Sequence, residues 1–130
     1  MNVLDASAMI EVLLQTPAGR LLAERLLLGG ETVHAPHLID LEVAQVLRRY
    51  CREGEIDAER ARQALTDLAE FPLERYSHEG LLARVWQLRD NLTAYDAAYV
   101  TLAEAIDATL VTADRRIAAA PGHSARVELI

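Results

Sequence analysis

The chain predicts an α/β fold: a parallel sheet of five strands covered by helices on both faces. Short apolar segments of strand length recur along it. Stretches with helical apolar spacing separate them, the signature of strand–helix–strand crossovers. A length of 130 residues suits one such domain and is short for two, so residues 1–130 read as a single domain.

Met1 to Asp5 is a short apolar run closed by an acid, a buried strand by its length. Ser7 reads as the N-cap of a helix over Ala8–Gln15. Thr16-Pro17 starts a second helix, with proline at its first position, and Gly29-Gly30 stops it. Thr32–Ala35 is the second strand, and Pro36 opens a long helix to about Glu53, closed by Gly54. Asp57 caps a helix to about Phe71, and Leu73–Tyr76 is the third strand. A Ser77-capped helix runs to about Asn91, and Thr93 opens another to about Ile106. Thr109–Thr112 is the fourth strand, Asp114–Ala120 a short helix, and Arg126–Ile130 the fifth strand. In such sheets ligands bind beyond the carboxyl ends of the strands, so the polar residues there are the first candidates for chemistry.

The composition is globular, 52% hydrophobic and 25% charged. Twenty acidic residues face thirteen basic ones, a net charge of −7. Every basic residue is arginine, which excludes lysine Schiff-base chemistry, a Walker-A phosphate loop and a receiver-type phosphorylation site. The single cysteine, Cys51, excludes an internal disulfide framework and a cysteine-rich zinc site. No apolar run approaches the ~18 residues of a membrane span, and the first ten residues lack a basic n-region, so a reduced, cytoplasmic location is expected. The acidic balance argues against binding nucleic acid by bulk charge alone.

Four acids stand at informative positions. Asp5 and Asp114 directly follow strands one and four, so neighbouring strands would bring them to one sheet edge. Glu42 lies on the helix after strand two, about 60° from Ile39 in the stripe Ile39, Val43, Val46, Tyr50, and can point inward. Asp40 projects about 200° away from Glu42 and cannot easily share its site. Asp96 is the only charge between Asp90 and Glu104, on a helix apolar around most of its circumference. A carboxylate there is costly unless paired or bound to a metal. Each acid alone also fits a turn, capping or solvated role, Asp96 as the third residue after Thr93 in a capping box. Together, oxygen-only donors suit a hard cation, Mg²⁺ or Mn²⁺. One or two such ions would activate water and stabilise the leaving oxygen of a phosphodiester; two would move the charge from −7 to −3. Ser7 and Thr112 place hydroxyls beside Asp5 and Asp114, suited to orienting a carboxylate.

Four segments carry a resemblance: Val3-Leu-Asp-Ala-Ser7, Pro36-His-Leu-Ile-Asp-Leu-Glu-Val43, Leu92-Thr-Ala-Tyr-Asp-Ala-Ala-Tyr-Val100 and Leu110-Val-Thr-Ala-Asp-Arg-Arg116. In this order and spacing the chain resembles the PIN-domain nucleases, and within them the VapC-type toxins of bacterial toxin–antitoxin pairs. The resemblance implies a three-layer α/β/α PIN-like fold and a Mg²⁺- or Mn²⁺-dependent endoribonuclease. Its metal-holding and catalytic acids would be Asp5, Glu42, Asp96 and Asp114, supported by Ser7 and Thr112. It also implies an RNA substrate, a cognate VapB-like antitoxin and a homodimer. The chain departs where some members carry a further acid after the last one: here the segment reads Arg115-Arg116-Ile117.

A dehalogenase-type phosphatase also begins with Asp after strand one, but it needs a second Asp at position 7 and a lysine, and the chain has neither. A DNA-directed nuclease of the same fold and a non-catalytic interaction module remain as alternatives. Arg115 and Arg116 beside the site, and Arg89 before the Asp96 helix, are candidates for substrate contact. Arg48, Arg49 and Arg52 read first as a solvated or salt-bridged helix face, with phosphate contact the alternative. His34, His37, His78 and His123 share no ligand spacing, and Trp86 with Leu82 and Val85 reads as a core or subunit contact.

Overall fold

A computed structural model describes residues 1–130. Five strands, β1 (Asn2–Leu4), β2 (Val33–Pro36), β3 (Leu73–Tyr76), β4 (Thr109–Thr112) and β5 (Arg126–Leu129), form one sheet in the order β3-β2-β1-β4-β5. Every pairing is parallel. The helices are α1 (Ala6–Leu13), α2 (Pro17–Gly29), α3 (Ile39–Arg52), α4 (Ala58–Glu70), α5 (Leu82–Gln87), α6 (Ala94–Ala105) and α7 (Arg115–Ala119), with a 3₁₀ turn at Glu79–Leu81. The expected α/β architecture with a five-stranded parallel sheet is present.

Every residue of β1 is buried, and Leu110, Val111 and Thr112 of β4 are too. The central strands are thus covered on both faces, which is why their sequences run apolar without alternation. In α6, all seven residues from Ala97 to Val100 and on to Ala103 are buried, since α6 packs over β1, β2 and β4.

Several boundaries differ from the sequence reading. Asp5, not Ser7, is the N-cap of α1; its Oδ1 accepts from the Ala8 backbone N–H at 2.9 Å. Ser7 therefore lies inside the first turn, and its hydroxyl is released for contacts across the sheet edge. Pro36 ends β2 rather than opening a helix, and α3 starts at Ile39. Pairing of β2 with β1 stops at His34, so the N–H that proline lacks is not needed there. Ser77 does cap Glu79, but the segment begins as a 3₁₀ turn and its helix ends at Gln87. The Leu88 N–H is shared by the Arg84 and Val85 carbonyls, which tightens that last turn. The buried stripe of α3 is Ile39, Val43 and Leu47; Val46 and Tyr50 sit half-buried on its flank. No helix is long and apolar enough to cross a membrane.

Candidate active site

The pairing of β1 with β4 decides the site. Leu4 lies opposite Val111, so Asp5 leaves β1 beside Thr112 at the carboxyl edge of the sheet. Asp5 is only 4% exposed, yet both its oxygens are satisfied. Oδ1 accepts from the Ser7 hydroxyl at 2.6 Å and from Ala8 N–H; Oδ2 accepts from the Thr112 hydroxyl. Ser7 in turn accepts from Ala113 N–H at 2.9 Å, and Thr112 from Asp114 N–H at 3.0 Å. This network joins the start of α1 to the β4–α7 turn and fixes the Asp5 carboxylate.

Glu42, on the first turns of α3, accepts a 2.6 Å hydrogen bond from the Tyr99 hydroxyl of α6. Tyr99 is buried and lies one helical turn beyond Asp96, whose backbone N–H is capped by the Thr93 hydroxyl at 3.1 Å. Asp114 caps α7 through the Arg116 N–H, and the Arg116 guanidinium closes a fork on it, Nε to Oδ1 at 3.1 Å and Nη2 to Oδ2 at 2.7 Å.

The electrostatics tie the four acids into one field. Burial raises the Asp5 pKa; its three hydrogen bonds oppose that, and the Asp114 charge adds to it. Burial raises Glu42 as well, with Tyr99 pulling the other way and the charges of Asp96 and Asp5 pushing up. Asp96 is raised by burial first and then by Asp114 and Asp5, with Arg116 opposing. Asp114 alone is lowered, chiefly by its hydrogen bond to Arg116. Unfavourable charge facing charge is expected where a cation belongs.

Asp5 and Asp96 thus stand within electrostatic reach of each other, of Glu42 on one side and of Asp114 on the other, brought there from the ends of β1 and β4 and the first turns of α3 and α6. No three of them already surround one point as a closed metal cage. The donor set fits a hard divalent ion by its chemistry, all oxygen with surplus negative charge. Asp114 would have to exchange its Arg116 fork for the ion.

Of the arginines considered for substrate contact, Arg116 is brought to the acids. Arg115 is exposed without an ion pair, and Arg89 bonds the Trp86 carbonyl at 2.9 Å and stacks over its ring. Asp40 is held away from the site by Arg75 of β3 at 2.8 Å. Tyr99 is the residue that sequence reasoning passed over, as part of an apolar surface. The available signal was its hydroxyl on a buried helix one turn after Asp96, because a buried tyrosine needs a partner.

Comparison with known proteins agrees with this fold. The family model for the PIN domain matches residues 3–122. Ribonuclease VapC1 of Mycobacterium tuberculosis is 43% identical over 129 residues, covering 98% of this chain and 96% of its own. Ribonuclease VapC12 of the same organism is 40% identical over 130 residues, covering 100% and 99%. Among solved structures, PAE2754 from Pyrobaculum aerophilum superposes with a TM-score of 0.75 at 23% identity, covering 97% of this chain and 81% of that one. VapBC2 from Rickettsia felis, solved bound to a DNA fragment from their promoter, gives 0.70 at 16% identity, covering 98% and 97%. These two likenesses speak to the fold. With the family model spanning nearly the whole chain and relatives matching end to end, the chain belongs to the PIN-domain family, among the VapC ribonucleases.

Proposed function

We propose that this chain is a divalent-metal-dependent endoribonuclease toxin that hydrolyses RNA phosphodiester bonds and is neutralised by a VapB-like antitoxin. The observation that carries the reading is the buried, hydroxyl-held Asp5 with Glu42, Asp96 and Asp114 around it from three other elements. The kinship with ribonucleases VapC1 and VapC12 supports RNA as the substrate. The solved VapBC2 pair supports a VapB-like partner.

Asp5, Glu42, Asp96 and Asp114 would hold one or two Mg²⁺ or Mn²⁺ ions. When bound, such an ion supplies charge neutralisation and Lewis-acid polarisation at the phosphodiester. The chain's own residues do the positioning. Ser7, Ala8 and Thr112 aim the Asp5 oxygens, and Tyr99 aims Glu42. Arg116, freed from Asp114, would meet a phosphate oxygen, with Arg115 beside it, and Arg89 would have to leave Trp86 to act as a further contact. No side-chain nucleophile is required. Trp86 and Leu82, an exposed i,i+4 pair on α5, suit the homodimer interface that this reading includes. A reduced, cytoplasmic compartment suits the free Cys51.

The test is cleavage of labelled RNA and DNA oligonucleotides with Mg²⁺, by the wild-type chain and by Asp5→Asn. RNA cleavage that Asp5→Asn lowers by about two orders of magnitude or more is expected, as loss of several kcal/mol of charge stabilisation requires. Cleavage of DNA alone, or equal cleavage by both proteins, would overturn the reading.

A further inference from the structure

We propose that the C-terminal half of α3 is a track for the RNA backbone, with Arg48, Arg49 and Arg52 as its phosphate contacts. The inference rests on the ribonuclease reading and says where the strand runs once it leaves the acids.

Helix geometry places the track. Arg49 follows Glu42 by seven residues, so it points within about 20° of the same direction and lies about 10.5 Å further along the axis. Gln45 lies between them, and Arg48 and Arg52 project to one side of Arg49, the side on which Gln45 lies. A strand held at Glu42 therefore meets a row of polar and cationic side chains on the same helix. These residues line an open depression of about 390 Å³ formed by Gln45, Arg48, Arg49, Arg52 and Glu53, with no apolar side chain in its wall.

No carboxylate neutralises the charges in this row. Arg25, Arg62, Arg75, Arg84, Arg116 and Arg126 each hold a carboxylate. Arg48, Arg49 and Arg52 are exposed, and none has an ion pair or hydrogen-bonded partner, so of the solvated or salt-bridged face expected from the sequence the solvated form is present; Arg49 lies over the Tyr50 ring at 5.5 Å. Glu53, the one carboxylate in the depression, binds none of them. In a chain with twenty acids against thirteen basic residues, three neighbouring guanidiniums without a carboxylate run against the overall charge. Cations in the last turn complement the helix dipole, which accounts for Arg49 and Arg52; Arg48 stands one residue before that turn. The guanidinium fork matches a phosphate, and a local basic patch draws a polyanion to a protein whose overall field repels it.

The experiment measures binding of a short fluorescein-labelled single-stranded RNA by anisotropy across a salt series. The background is Asp5→Asn, to prevent cleavage, with and without Arg48→Gln, Arg49→Gln and Arg52→Gln together. Glutamine keeps helix propensity, and circular dichroism and melting check the fold. The triple variant is expected to bind about tenfold more weakly or worse, with a log K against log salt slope shallower by about 2, near 0.7 per phosphate contact. Arg49→Gln alone should make the slope shallower by about 0.7. Arg20→Gln, an unpaired exposed arginine on α2, should change neither quantity. In the active chain the triple change should raise KM on long RNA and leave kcat in place. Equal binding by triple variant and parent, or equal weakening by Arg20→Gln, overturns the track. So does unchanged RNA binding with altered self-association, which would assign the face to protein contacts. A parent that binds no RNA at all would instead sink the ribonuclease reading itself.

Discussion

Asp5 ends β1, caps α1 and supplies the most buried of the four charges. Those three roles are compatible because its two oxygens divide the work, Oδ1 toward α1 and Oδ2 toward Thr112. Ser7→Ala and Thr112→Val each remove a donor from that carboxylate. Each is expected to weaken Mn²⁺ binding about 10–100-fold, read by calorimetry, as loss of an outer partner does elsewhere; unchanged affinity would mean the hydroxyls do not position Asp5. Glu42→Gln preserves an acceptor for the Tyr99 hydroxyl while deleting a charge. The acids themselves were legible in the sequence because an acid at a strand end or on an apolar helix is locally anomalous. The partners were not, since Tyr99 meets Glu42 across 57 positions of chain and no local pattern records that.

At the scale of elements, α1 must be held firmly, because it carries Ser7 and is started by Asp5. It packs against α2 at Gly19, where an added Cβ would lie 1.8 Å from the Glu11 carbonyl oxygen. That atom is backbone and cannot swing away, so Gly19→Ala must separate the two helices. A loss of about 3 kcal/mol or more is expected in urea unfolding. Gly80→Ala, which meets open space, should stay within about 0.5 kcal/mol of wild type. Equal stability of the two variants would show that the α1–α2 contact is loose. Strands and most caps were legible because they are local: Thr16, Asp57 and Thr93 each cap the helix their sequence announces. Pro36 misled because proline suits both a helix start and a strand end, and only strand pairing distinguishes them.

For the whole molecule, the −7 charge and the facing acids make stability depend on protons and, under the proposed function, on divalent ions. Asp5, Glu42 and Asp96 have folded pKa values raised above their unfolded values near ~4. Raised acids penalise the fold most at neutral pH, and the penalty fades as pH falls through the raised values toward about 4. Asp114 and Glu104 are lowered, by Arg116 and Arg84, and their support is lost only as pH falls below about 4. His34, kept low by burial, also opposes acidification, below about 6.5. Comparing Glu42→Gln with wild type isolates one carboxylate. In EDTA the variant should melt at a higher temperature at pH 7.5, and the difference should shrink toward pH 4.5; a difference that grows on acidification would contradict the raised Glu42. Mg²⁺ at ten times its dissociation constant should add about 1.4 kcal/mol, a rise of about 5 °C at pH 7.5. No shift at any millimolar concentration would count against the acids as an ion site.

Read alone, the order of residues determined that this chain builds a parallel α/β sheet and marked four acids at strand ends and on apolar helices as candidates for chemistry. Period, caps and strand ends are properties of near neighbours, so they survive in one dimension. Only the tertiary structure decided that β4 lies beside β1, that Thr112 reaches Asp5, and that Tyr99 steadies Glu42. It alone showed Arg116 on Asp114 and three arginines of α3 left without carboxylates. Except for Arg116 on Asp114, two positions apart, those pairings join residues far apart in the chain, and which distant groups meet is settled by how the elements pack.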